Sequence, residues 1–160
     1  TILVKPSLAV KSNLTLDLGD RMLLLTAHPV AHTHTDLTVM DSQTHTLFSG
    51  DLLFIERTPV VEGDVKGLIA ELDKLELSGA LQVVPGHGPV SQDGVLDMNK
   101  AQTYLQVLLN DIRASIKQGV SMEATMNTAA ATEKDKWLLF DVANRRNVNT
   151  LYPALEWERE

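Results

Sequence analysis

Short runs rich in apolar residues mark the first half of the chain and predict β-strands. Residues 14–18 alternate apolar and polar with the two-residue period of a half-buried strand, whereas residues 21–27 and 81–84 are more continuously apolar. The predicted strands are residues 14–18, 21–27, 36–41, 46–48 and 81–84. Gly19-Asp20 separates the first two, and Ser42-Gln43-Thr44 joins the third and fourth as a hairpin. Pro85-Gly86 follows the last apolar run, so we expect that strand to stop there.

In the second half the apolar residues recur every three to four positions, which predicts amphipathic helices. Helices are predicted over residues 65–77, 97–118, 121–131 and 136–151. Asp64 is a suitable N-cap for the first helix, Gly79 lies just beyond its end, and Ser121 suits the start of the third. Pro153 is expected to kink or end the last helix, because proline lacks the amide hydrogen that a helix interior needs.

Strands followed by helices, with one helix between the fourth and fifth strands, predict an α/β (α+β) class built on a mixed sheet. No linker rich in proline, glycine or serine divides the chain, so residues 1–160 are expected to form a single unit. With 160 residues, 44% of them hydrophobic, the chain can bury a substantial core.

The net charge of −7 argues against a nucleic-acid binder, which would cluster lysine and arginine to displace counterions from phosphates. The acidic balance also argues against binding to anionic membrane surfaces. The longest apolar runs are too short to span a bilayer, so no transmembrane segment is expected. The chain opens on Thr1 and not on methionine, which hints at an excerpt or a processed product.

The chain has no cysteine, so any metal site must use histidine and carboxylate. Five histidines are available, at positions 28, 32, 34, 45 and 87. His32, His34 and Asp36 are spaced by two residues and could face the same side of an extended segment, either as zinc ligands or as purely structural residues. We expect His28 and His45 to be structural or solvent-facing.

Two further segments place a polar residue beside glycine at the end of an apolar run. Asp51 follows Gly50, and an aspartate between apolar neighbours needs a cation or several N–H donors. His87 lies between Gly86 and Gly88, which let the backbone turn sharply and leave room around the imidazole ring. Functional side chains collect on loops at strand ends, so both residues are candidate ligands.

The ordered segments HTHTDLTV, FSGDLLF and VPGHGPV resemble the later three metal motifs of the metallo-β-lactamase superfamily. The resemblance implies an αββα sandwich with one or two zinc ions that activate water for hydrolysis. This chain would supply one layer of that sandwich, a mixed sheet with helices on one face. More narrowly, Arg57-Thr58-Pro59-Val60 and the segments WLLFD, NV and LEWE of the tail resemble the quinoprotein relay system zinc metallohydrolases, which suggests a bacterial, periplasmic setting.

HTHTD also mimics the first metal motif of that superfamily, His-x-His-x-Asp-His, which normally supplies most of the ligands. In this chain the sixth position is Leu37, and the segment continues as a predicted strand where that motif normally opens a helix. Asp51 follows His32 by nineteen positions, the short distance expected between the third-motif histidine and the bridging aspartate. The first motif is therefore expected upstream of Thr1, which would make residues 1–160 the C-terminal half of the domain.

Carried over to this sequence, the resemblance makes His32, Asp51 and His87 the metal ligands. His32 would complete a three-histidine zinc site, Asp51 would bridge two zinc ions, and His87 would bind the second. His34 and Asp36 are second choices, and Asp36 is expected instead to fix its own loop or to orient a histidine. No catalytic residue and no other cofactor-binding residue can be named in this chain, because the aspartate that orients the hydroxide belongs to the missing motif.

Two functions follow from this interpretation. The first is part of a zinc-dependent hydrolase acting on a small molecule. The complete site would hold two zinc ions, whereas this chain alone would bind zinc weakly or not at all and would be inactive. The second is a non-catalytic interaction module, because one layer of a sandwich leaves an apolar sheet face that a homodimer could cover.

Overall fold

A five-stranded mixed sheet forms one layer of the structure, a computed structural model that describes residues 3–158. Its strands are β1 (Asn13–Asp17), β2 (Met22–Ala27), β3 (Leu37–Asp41), β4 (Thr46–Phe54) and β5 (Gln82–His87), and they neighbour one another in chain order. β1 to β4 are antiparallel, and β5 pairs in parallel with β4. The helix between β4 and β5 makes this last pairing possible, because parallel strands need a crossover connection.

Helices form the second layer. They are α1 (Val65–Glu76), α2 (Gly94–Lys117), α3 (Met122–Thr128) and α4 (Phe140–Glu156), with a 3₁₀ turn at Ala131–Lys136. α1 and α2 contact each other and both contact β4, while α4 packs on α2 and α3. The helices therefore lie on one face of the sheet, which confirms the predicted α/β (α+β) class. No helix among the described residues has the length and apolar character that a membrane span requires.

The predicted strands are confirmed in position, but β4 and β5 are longer than the sequence pattern indicates. β4 continues past Phe48, where its pairing with β3 ends, because β5 pairs with it in parallel as far as Phe54 and His87. The expectation that β5 stops at Pro85-Gly86 is wrong. Proline is tolerated there because β5 is an edge strand of the sheet and can lack one amide donor.

Capping residues explain where α1, α2 and α3 begin. The Asp64 side chain accepts hydrogen bonds from the first turn of α1, as predicted. Ser121 likewise caps α3, which however ends at Thr128 and not at 131. α2 begins at Gly94, earlier than the predicted 97, because Asp93 is its N-cap.

α4 differs most from the sequence prediction of residues 136–151. It begins at Phe140, because Trp137 is extended and Leu138 forms a β-bridge with Arg57. Pro153 lies inside the helix, which continues for another turn beyond it. The missing amide donor removes one hydrogen bond there, and burial of Leu155 holds this last turn against the core.

The apolar stripe of α2 forms the centre of the core. Seven apolar residues of the sequence form this stripe, and six of them are buried: Met98, Ala101, Leu105, Leu108, Leu109 and Ile112. The seventh, Ile116, is only partly buried near the end of the helix. Leu47 of β4 and Val83 of β5 are direct neighbours in the sheet and belong to the same buried cluster. The helix layer thus packs on the two strands that carry Asp51 and His87.

A row of apolar side chains crosses the opposite face of the sheet. Paired residues on neighbouring strands share a face, and this row comprises Leu14, Leu25, Val39, Phe48 and Val84. None of the five is buried, and Phe48 is 44% exposed. The face of the sheet away from α1 and α2 is therefore apolar and partly open.

Leu72→Ala tests how much α1 contributes to the core. Leu72 is fully buried, at 0% exposure, and truncation of such a leucine costs about 2–5 kcal/mol through lost burial and the cavity left behind. We expect the free energy of unfolding, measured by urea denaturation, to fall by that amount. Leu77→Ala is the matched control, because Leu77 ends the same helix at 87% exposure and its truncation should change stability by less than about 0.5 kcal/mol. Equal losses in the two variants would contradict the packing described for α1.

Candidate metal centre

The parallel strands β4 and β5 bring two of the predicted ligands together. Asp51 lies in β4, and His87 is the last residue of β5. Asp51 Oδ1 lies 3.5 Å from His87 Nε2. His32, from the loop between β2 and β3, lies against the other carboxylate oxygen, with its Nε2 3.5 Å from Asp51 Oδ2. Three side chains that are far apart in the sequence therefore meet at one place.

Each oxygen of the Asp51 carboxylate faces a different imidazole. Two ligands of a tetrahedral zinc ion, each bonded at about 2.0–2.1 Å, lie about 3.3 Å apart. Both nitrogen–oxygen separations of 3.5 Å therefore suit a zinc ion held between one histidine and one carboxylate oxygen. Within residues 3–158, however, no group of three or more His, Cys, Asp or Glu side chains converges to hold a single metal ion. The arrangement offers two half-sites that share one carboxylate.

A glycine in β5 makes this close approach possible. A methyl group at Gly86 would lie 2.0 Å from Asp51 Oδ1 and 2.9 Å from the Asp51 backbone nitrogen. The space that the missing side chain of Gly86 leaves is therefore taken by the Asp51 carboxylate. Gly88 has a φ of 105°, in agreement with the predicted sharp turn.

Aromatic packing and a backbone carbonyl hold the two imidazoles. The Phe54 ring stacks on that of His87 at a centroid distance of 4.8 Å and lies 5.6 Å from that of His32. His32 is buried, and its Nδ1 lies 2.6 Å from the Val60 carbonyl oxygen. A carbonyl oxygen can only accept a hydrogen bond, so Nδ1 of His32 is the donor. In the neutral ring Nε2 then carries no proton, and its lone pair faces Asp51.

A cavity of about 390 Å³ opens over these three side chains. Arg146 and Glu62 line it and form an ion pair with each other, and Arg57 lines it as well. A larger cavity of about 560 Å³ shares Phe54 with the first and contains none of the three candidate ligands. The smaller cavity is therefore the one that bears on metal chemistry.

The two second-choice ligands lie apart from this cavity. His34 is exposed and does not line it. Asp36 accepts hydrogen bonds from the backbone nitrogen and from the hydroxyl of Thr33, each at 2.9 Å. The Asp36 carboxylate thus shapes the loop that carries His32.

The remaining two histidines have other environments. The ring nitrogens of His28 lie 2.7 Å from Glu71 and 2.8 Å from Thr38, and the side chain is buried. Burial disfavours the charged form of Glu71, but hydrogen bonds from His28 and Lys74 outweigh it and hold the pKa of this carboxyl below its usual value. His28 is therefore structural and not solvent-facing, whereas His45 is exposed in the hairpin turn.

The sequence does not single out Phe54, Val60 or Asn147 as site residues. Val60 contributes its backbone carbonyl, which no sequence pattern reveals. Asn147 is hydrogen-bonded to the peptide groups on both sides of Val60. Its place in a predicted amphipathic helix is the available signal, because an amide that becomes buried needs partners.

Comparisons with known proteins point to one superfamily. The family model of the metallo-beta-lactamase superfamily matches residues 2–87, a range that contains all three candidate ligands. Among solved structures, a metallo-beta-lactamase from Pontibacter korlensis is 22% identical with a TM-score of 0.57, and the match covers 64% of this chain and 50% of that chain. For a metallo-beta-lactamase family protein from Thermus thermophilus the identity is 18%, the TM-score 0.61, and the coverage 70% and 39%.

A third solved structure matches almost the whole chain. The stereoselective inverting sec-alkylsulfatase from a Pseudomonas species is 16% identical with a TM-score of 0.75, and the match covers 98% of this chain and 28% of that chain. No curated protein matches the sequence. At these identities the likeness shows the fold alone. The matched part spans half or less of the length of each of these three structures.

Gly86→Ala should displace Asp51 from its two histidines, because the added methyl group would lie 2.0 Å from Asp51 Oδ1 and 2.8 Å from the carbonyl carbon of Gly50. We expect the free energy of unfolding to fall by about 1–3 kcal/mol, the usual cost of overpacking. The NMR signals of the His32 and His87 rings should shift as well. Gly119→Ala is the control, because its methyl group would meet nothing within 4 Å and adds only the strain of a φ of 68°. Unchanged imidazole signals in a folded Gly86→Ala chain would count against this description of the site.

Proposed function

The chain belongs to the metallo-β-lactamase superfamily, and we propose on that basis that it is the C-terminal half of a zinc-dependent hydrolase. The observation that carries the proposal is the pair of 3.5 Å separations between the two oxygens of Asp51 and the Nε2 atoms of His32 and His87. Imidazole nitrogen and carboxylate oxygen are ligands that suit zinc, and a shared carboxylate suits a pair of ions. The greater length of the structural relatives supports a larger complete domain.

Each of the three side chains has a distinct role in this proposal. His32 and His87 would each hold one zinc ion through Nε2, and Asp51 would hold both ions through its two oxygens. When bound, such a pair supplies a water of lowered pKa for hydrolysis. The chain itself fixes the ligands, because the Val60 carbonyl accepts a hydrogen bond from Nδ1 of His32 and Phe54 packs against both rings.

The same geometry limits what the chain can do alone. Zinc sites in proteins normally use three or four protein ligands, whereas each half-site here has one imidazole and one carboxylate oxygen. An upstream His-x-His-x-Asp-His motif in a longer protein would complete the site. Residues 1–160 alone bind zinc weakly or not at all and do not hydrolyse a substrate. A small molecule is the substrate class that a cavity of about 390 Å³ fits.

A narrower assignment rests on sequence resemblance. Arg57-Thr58-Pro59-Val60 resembles the quinoprotein relay system zinc metallohydrolases, and three of these four residues line the cavity over the candidate ligands. The complete protein is on this basis a bacterial, periplasmic member of that group. Because this segment forms part of the cavity wall, we propose that it contributes to the site over the candidate ligands.

The apolar row on the open face of the sheet favours a second function. Its five side chains, from Leu14 to Val84, are not buried, and apolar patches of this kind mark interaction surfaces. A homodimer is the simplest way to cover the row, because a two-fold axis pairs a surface with itself. In this alternative the chain is a non-catalytic assembly module. Sedimentation as a well-folded monomer would remove the alternative.

The number of bound zinc ions should differ between residues 1–160 and the proposed longer protein. After dialysis against micromolar zinc, we expect elemental analysis to find well under one zinc ion per molecule of residues 1–160. A longer chain that includes the upstream segment should hold about two, because its added ligands complete both coordination shells. In that longer chain Asp51→Asn should lose zinc, whereas His34→Ala, at an exposed position in the His32 loop, should keep both ions.

Two results would contradict this expectation. Two tightly held zinc ions in residues 1–160 alone would show that the half-sites are complete. An upstream sequence that lacks the His-x-His-x-Asp-His motif would remove the enzyme proposal.

A further inference from the structure

We propose that Asn147 is a positioning residue for His32 and acts through the peptide bond between Val60 and Val61. Asn147 lies in α4, whereas His32 lies in the loop between β2 and β3. The proposal goes beyond the zinc assignment, because it concerns which nitrogen of the imidazole carries the proton and applies to the metal-free chain.

One peptide unit links the two side chains. The Val60 carbonyl accepts the hydrogen bond from His32 Nδ1 at 2.6 Å. The N–H of Val61, which belongs to the same planar unit, donates to Asn147 Oδ1 at 3.0 Å. Asn147 Nδ2 in turn donates to the Pro59 carbonyl at 2.8 Å. The Asn147 amide therefore holds the backbone on both sides of Val60.

The hydrogen bonds along this path strengthen one another. A peptide whose N–H is already donated has a more polarised carbonyl, which is a better acceptor. Val61 and Asn147 are fully buried, at 0% exposure, and His32 is 6% exposed, so little water can compete for these groups. The Val60 carbonyl is thus presented to His32 in a fixed direction and with increased acceptor strength.

Asn147 is itself fixed by a buried network. Its Nδ2 also donates to the Tyr104 hydroxyl at 2.8 Å, and that hydroxyl donates to Asn144 Oδ1 at 3.0 Å. Asn144 Nδ2 donates to the Ala129 carbonyl at 2.8 Å. Burial raises the pKa of Tyr104, so the phenol stays protonated and can both accept and donate. The network ties α2 and α4 to the backbone around Val60.

The consequence concerns the tautomer of His32. A proton on Nδ1 leaves the Nε2 lone pair toward Asp51, and this is the form that can bind a cation. In the other tautomer the Nε2 proton would point toward Asp51 Oδ2, 3.5 Å away, and would block that position. The carboxylate by itself favours this blocked form. Asn147, through the Val60 carbonyl, keeps His32 in the metal-binding form.

Long-range ¹H–¹⁵N NMR spectra test the proposal, because they report which ring nitrogen is protonated. The spectra are recorded at a pH of about 9, because an ordinary imidazole, with a pKa of about 6.5, is neutral there. For His32 in the metal-free wild-type chain, the expected result is a proton on Nδ1. A proton mainly on Nε2 would overturn the proposal, whether or not any variant folds.

Asn147→Leu and Asn144→Leu form a matched pair. Both replace a buried asparagine of α4 by an apolar residue and break the same network, so both should destabilise the chain. Asn147→Leu also removes the acceptor of the Val61 N–H. We expect the ratio of Nδ1–H to Nε2–H tautomers of His32 to fall about tenfold in Asn147→Leu, because the net contribution of one hydrogen bond can change an equilibrium by about ten. In Asn144→Leu we expect this ratio to fall less than about twofold. No fall in Asn147→Leu, or equal falls in both, would overturn the proposal.

Tyr104→Phe covers the case in which Asn147→Leu does not fold. It removes one oxygen that accepts from Asn147 Nδ2 and leaves the aromatic ring in the core. We expect a fall of about two- to threefold in the same ratio, because the amide keeps only one of its two acceptors. An unchanged ratio in the folded variant would overturn the proposal. Since no zinc is present, the result is independent of the outcome for zinc binding.

Discussion

The parallel pairing of β4 and β5 is the constraint on which the rest of the structure depends. Asp51 and His87 come from strands that are joined by a crossover through α1. The pairing brings Asp51 Oδ1 to 3.5 Å from His87 Nε2. Gly86 permits this distance, because a side chain there would occupy the position of the Asp51 carboxylate. Packing of α1 and α2 on β4 holds the strands in place. The candidate site is thus a product of strand pairing and helix packing together.

The two histidines are supported in different ways. His87 ends a strand and stacks on Phe54. His32 lies in a loop, where no strand pairing fixes it, and the segment before α1 takes over that task. The amides of Glu62 and Gly63 donate to the His32 carbonyl at 2.9 and 2.8 Å, and the Val60 carbonyl holds its ring. The buried network around Asn147 is hydrogen-bonded to this segment, so it connects the helix layer with a candidate ligand beside the sheet.

Elements with local signals could be predicted from the sequence. The N-cap at Asp64 predicted the start of α1, and the apolar stripe predicted α2. The glycines beside Asp51 and His87 indicated two residues that the structure brings together. The start of α4 could not be predicted, because it depends on pairing between Leu138 and a segment far away in the chain. The link between Asn147 and His32 could not be predicted either, because it runs through the Val60 carbonyl, and a backbone carbonyl has no signature in a sequence. The roles of the ligands toward zinc stay predictions.

Binding of divalent cations across the Asp51 carboxylate is the central claim. Crystals of the longer protein that includes the upstream segment, soaked in millimolar zinc, with diffraction data on both sides of the zinc absorption edge, locate the ions by their anomalous scattering. We expect one peak toward His32 and one toward His87, each about 2 Å from a carboxylate oxygen and from Nε2. Zinc bound at other histidines while these three side chains have none would contradict the claim.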